Sequence, residues 1–154
     1  MLLEEGIDRL LTALPNPMRV ACSGDRHWKD RDLVIRVLES LGGSKRIHAI
    51  MFGDAAGLDE IAREVATSWF GISLILDYPR EWGRYHRRAG PIANSRMLRD
   101  GVPDVLLAFH DNLYRESKGT LDCVQQARKM KIPVLHIRHD GVDLTLAKQL
   151  GFDL

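Results

Sequence analysis

Ile47-His48-Ala49-Ile50-Met51-Phe52-Gly53-Asp54-Ala55-Ala56-Gly57-Leu58-Asp59 is the stretch on which the fold turns. A short apolar run that breaks into Gly-Asp-x-x-Gly and then into a helical pattern reads as strand, tight turn and helix N-terminus. Glycine lets backbone N–H groups approach a ligand closely. The helix beginning near Leu58 adds unpaired N–H groups and the positive end of its dipole, so the turn suits an anion. The alternative is a plain β-to-α turn in which glycine serves sterics alone.

Two other turns look alike. Met18–Cys22 reads as a strand leaving through Ser23-Gly24-Asp25-Arg26, followed by a helix from Asp30 to Leu41 with Leu33, Val34, Val37, Leu38 and Leu41 on one face. Pro103–Phe109 reads as a strand whose exit leads through His110-Asp111-Asn112 to Ser117-Lys118-Gly119-Thr120 and a helix to Lys129. Between them lie a helix from Leu58 to Trp69, a strand at Ile72–Leu76, and an aromatic and basic connection, Asp77 to His86, that contains Trp82 and Arg84. A helix from Arg87 to Arg99 follows, its regular part starting at Pro91, which puts Asn94 in the first turn. Ile132–Ile137 is a fifth strand.

Near-continuous apolar strands alternating with helices imply an α/β, Rossmann-like three-layer sandwich. The expected sheet has five parallel strands in the order 3-2-1-4-5 with helices on both faces. Residues 1–17 read as an N-terminal amphipathic helix and linker, its stripe of Leu3, Ile7, Leu10, Leu11 and Leu14 packing in cis in preference to meeting a partner subunit. Residues 18–138 form the nucleotide-binding unit and 139–154 a C-terminal tail or helix. In this topology the three glycine-bearing turns converge on one crevice at the carboxyl ends of the strands, which points to a nucleotide-sized ligand.

The chain has 154 residues, 22 basic and 21 acidic, for a formal charge of +1, so its total charge does not mark a nucleic-acid or membrane-surface binder. Cys22 and Cys123 have no metal or CxxC spacing, and His136-x-x-His139 lacks a completing ligand, so neither a metal nor a cofactor is expected. An acidic start and the lack of any apolar run near 20 residues lead to the expectation of a cytoplasmic protein. Backbone amides at Ser23, Gly24, Gly53, Ala55, Gly57 and Gly119, with Arg26, Arg84, Lys118 and Thr120, suit phosphates. Asp25, Asp54 and Asp59 suit sugar hydroxyls, and Trp28 or Trp82 a base. Arg80, Arg84, Arg87 and Arg88 serve a small nucleotide's phosphates or a nucleic acid equally well.

Ser-Gly-Asp-Arg-x-Trp at 23–28, Gly-Asp-Ala-Ala-Gly-Leu-Asp at 53–59, Trp82, the run from Arg88 to Met97 with Asn94, and Gly119-Thr120 with Ala127 together resemble the SLOG superfamily of Rossmann-like nucleotide-binding proteins. Within it they look most like the YspA and cpYpsA-related branch. The resemblance covers roughly residues 18–137 and implies a binder or sensor of a nucleotide or nucleotide-derived molecule, commonly a homo-oligomer. It also implies two alternatives: an N-glycosidic hydrolase like the LOG phosphoribohydrolases, and a DprA-like partner of single-stranded nucleic acid. The LOG catalytic Arg and Glu are replaced here by Ala93 and Cys123, which weakens the hydrolase reading; Asp54, Asp59 and Arg96 are the substitutes at hand.

Overall fold

The structure, a computed structural model, describes residues 1–151. Helix α1 (Leu3–Leu11) leads to β1 (Met18–Gly24), α2 (Arg31–Ser40), β2 (Ile47–Phe52), and α3 (Leu58–Glu64), which continues as a π-helical stretch, Val65–Phe70. Gly71, left-handed at φ 62°, ends it. Then come β3 (Leu74–Asp77), α4 (Trp82–Tyr85), α5 (Ala89–Asp100), β4 (Val105–Phe109), α6 (Leu113–Glu116), α7 (Gly119–Lys129), β5 (Val134–Arg138), β6 (Gly141–Asp143) and α8 (Thr145–Lys148).

The sheet runs β3-β2-β1-β4-β5-β6. The expected five parallel strands are there in the expected order, but the sheet has six: β6 pairs antiparallel with β5, Ile137 opposite Val142. Three residues, Gly-Val-Asp, are too few to show strand alternation, so this strand was hidden in the stretch read as helix and tail. Residues 152–154 of that tail lie outside the described residues.

Strand side chains divide cleanly between two cores. Val20, Cys22, Phe52, Leu107 and Phe109 join Leu33, Val37 and Leu58 on one face of the sheet. Ala21, Met51, Leu106 and Ala108 join Met97, Val124 and Leu146 on the other. The α1 stripe of Leu3, Ile7, Leu10 and Leu14 is buried in the first of these cores. Pro91 is the third residue of α5, where its missing N–H is one of the helix's orphans, so Asn94 falls in the second turn instead of the first.

Because Leu10 is fully buried and shares its core with α2, Leu10→Ala is expected to cost about 2–5 kcal/mol. Urea unfolding checks it; a loss below about 1 kcal/mol would show that α1 is a detachable appendage.

Candidate functional site

Gly24 stands in register with Phe109, and Phe52 with Asp77, so the exits of β1, β2, β3 and β4 lie along one edge of the sheet. There the first two glycine turns dock onto each other. The Leu58 N–H donates to the Asp25 carbonyl at 3.1 Å, and the Asp25 N–H donates to the Phe109 carbonyl at 2.9 Å. Gly57 has φ +73°, and a Cβ there would come within 2.3 Å of the Arg26 carbonyl oxygen. The backbone of the first turn thus fills the space above α3 where an anion was expected, and takes up its first N–H. Ala55 N–H is likewise engaged, donating to the Asp59 carboxylate at 3.1 Å.

The third turn is different. Gly119 and Lys118 are exposed, and a Cβ on Gly119 would meet nothing within 4 Å. Asp122, in the first turn of α7, has its Oδ2 occupied by donors from Asn94 (2.9 Å) and Gln126 (2.9 Å), while Asn94 also donates to the Gly119 carbonyl at 3.2 Å.

Several expected ligand residues turn out to be structural. Trp28 is 4% exposed: its indole N–H donates to the Asp30 carbonyl, its edge meets Phe109, and its face stacks on the His139 ring with centroids 4.3 Å apart. Polar neighbours on both sides disguised it as a surface tryptophan. Met97, 2% exposed, belongs to the second core, and Thr120 is buried. Burial pushes both the Cys22 and Cys123 thiols up, against a lowering pull of Ser23 on Cys123, so neither offers a thiolate. Asp25 is folded back to accept the His27 N–H at 2.8 Å, and Arg26 is exposed beside the His27 ring. Arg96 is held by Glu81 at 2.8 Å, and Ala93 is buried.

Asp59 stands apart from these. It is 8% exposed, one carboxylate oxygen accepts from Ala55, and Oδ1 has no hydrogen-bond partner. Burial pushes its pKa up to about 7, against the lowering pull of the Ala55 N–H and of Arg80. It lines a shallow cavity of about 340 Å³ with Gly53, Asp54, Arg63 and Asp77.

Beside that cavity the connection from β3 to α5 presents its side chains to solvent. Trp82 is 52% exposed with the Arg80 guanidinium 5.0 Å from its ring centre, and Arg84 sits 5.0 Å from the ring of Tyr85. Asp54 holds Arg80 at 2.9 Å. Across the edge, Tyr114 on α6 is 64% exposed next to Arg115, with Lys118 four residues on. Sequence reasoning missed Tyr114, although the same signal, a ring beside cations after a strand exit, marks both places.

No family model matches the chain. The Gene 61 protein of Mycobacterium phage D29 is 34% identical over 122 residues, covering 77% of this chain and 94% of that protein. Among solved structures, DNA processing protein A from Helicobacter pylori, described for its single-stranded DNA binding mode, is similar with a TM-score of 0.58. The match covers 92% of this chain and 76% of that one at 20% identity, a likeness of fold. No helix among the described residues is long and apolar enough to cross a membrane.

Two outcomes follow from this geometry. With its folded pKa near 7 above the ordinary carboxylate value of 3.8, Asp59 contributes stability that is complete below the lower value and is lost as pH rises through the upper. Asp59→Asn is therefore expected to be more stable than the parent at pH 8, the difference shrinking toward pH 4; thermal melts across that range check it, and a pH-independent difference contradicts the assignment. Gly57→Ala meets both a positive φ and a carbonyl, and should cost at least about 1–3 kcal/mol by chemical denaturation.

Proposed function

We propose that this chain, which belongs to the family of the Gene 61 protein of Mycobacterium phage D29, binds single-stranded DNA along the carboxyl edge of its sheet. The observation that carries this reading is the pairing of half-buried Arg80 with exposed Trp82 and of exposed Arg84 with half-buried Tyr85, continued by exposed Arg87 and Arg88. Aromatic faces take bases in stacking while neighbouring guanidinium groups meet the phosphates, a combination tolerant of sequence. Arg84, Arg87 and Arg88 have no carboxylate partner among the described residues, so their charge is available. The fold likeness to a single-stranded DNA binder supports the same reading.

A second reading has its own support. Asp59, lining a cavity of about 340 Å³ with Gly53 and Asp54, suits a hydroxyl donor such as the sugar of a nucleotide or nucleotide-derived molecule, in the manner of the SLOG superfamily and its YspA branch. In that reading a carboxyl group titrating near neutrality also serves as a proton carrier for N-glycosidic cleavage. The docking of the first two turns weighs against it, because it removes phosphate donors from the crevice.

Fluorescence anisotropy with an oligothymidylate of 12 nucleotides separates the two. The expected result is binding whose logarithm falls with log salt by about 0.7 per phosphate contacted, and a loss of about 1–3 kcal/mol in Trp82→Ala. Binding of nucleoside monophosphates with no measurable affinity for the oligonucleotide overturns the first reading in favour of the second.

A further inference from the structure

We infer that the strand of DNA is held at two aromatic stations, and that Tyr114 with Lys118 and Arg115 forms the second; this rests on the reading above. Tyr114 is 64% exposed, while its neighbour Leu113, 1% exposed, anchors α6 in the core. The loop beneath is pinned by buried groups: the Asn112 N–H donates to His110 Nδ1 at 3.0 Å, and His136 Nε2 lies 2.7 Å from the His110 carbonyl. Arg115 and Glu116 N–H groups both donate to the Asn112 carbonyl, closing the turn. The ring is thus displayed on a fixed base and packs on nothing that explains it, so little freedom is lost when a base stacks there.

The charges along the edge agree. Three carboxylates of this edge are engaged, Asp54 by Arg80, Glu81 by Arg96, and Asp122 by Asn94 and Gln126, while Glu116 on α6 is exposed. Arg115 and Lys118 have no carboxylate partner among the described residues. The Trp82 segment follows β3 and α6 follows β4, three strand spacings across the sheet. At ~4.8 Å per spacing that is ~14 Å, or about four nucleotides at ~3.4 Å of stacked rise. A trinucleotide therefore reaches one station and a dodecanucleotide both.

The test is anisotropy on the intact chain with fluorescent oligothymidylates of 3 and 12 nucleotides. Tyr114→Ala is expected to weaken the 12-mer at least about fivefold and to leave the 3-mer unchanged, Tyr114→Phe to bind both as the parent does, and Trp82→Ala to weaken both. If Tyr114→Ala leaves the 12-mer unchanged while Trp82→Ala weakens it, the second station is refuted and single-strand binding stands. If the unaltered chain binds neither oligonucleotide, both proposals fall.

Discussion

The contact on which this molecule depends is backbone against backbone: the Asp25 and Arg26 carbonyls pressed onto Gly57 and Leu58 at the N-terminus of α3. Two strand exits that a Rossmann-like sheet ordinarily leaves apart are here closed by a hydrogen bond and by the lack of a side chain at Gly57. The closure takes the Leu58 N–H, at the start of α3, out of the crevice. It also explains the isolation of Asp59, which is enclosed beneath the turns with one oxygen unsatisfied and its proton held to higher pH than a surface carboxylate would hold it.

With the Leu58 N–H at the middle of the edge taken up by the neighbouring turn, the exposed rings and unpaired cations lie on its flanks. There the design is electrostatic and aromatic. A chain with 22 basic and 21 acidic residues has no net field to attract a polyanion, so the single-strand binding proposed above calls for local attraction. Pairing sets the local balance: Asp54, Asp77 and Glu81 are each tied to an arginine, while Arg84, Arg87 and Arg88 have no carboxylate partner among the described residues. The exposed ion pairs add little to stability, but they set which guanidinium groups are free.

Much of the architecture could be read from residue order alone. Apolar runs such as Ile47–Phe52 and Val105–Phe109, separated by helical faces, dictate a parallel sheet, and right-handed crossovers dictate its order. What escaped was whatever depends on tertiary fit. Trp28 sits in a polar context yet is buried, because a ring from the turn after β5 covers it. The docking of the glycine turns has no local signature, since Gly-Asp-x-x-Gly reads identically whether an anion or a neighbouring carbonyl lies above it. Met97 is an apolar position of its helix and lies in the second core, and Thr120 is buried, although a motif placed both among the ligand residues.

The start of the chain has a role at the opposite flank. The Met1 carbonyl accepts the N–H of Val142 at 3.2 Å, and a Cβ on Gly6 would collide with the Val142 side chain, so the outer border of β6 is sheathed by its own polypeptide. At the other border β3, four residues long and partly exposed, has β2 alone as its strand neighbour among the described residues. Among the described residues, a strand added beyond β3 would lie next to the segment that carries Trp82.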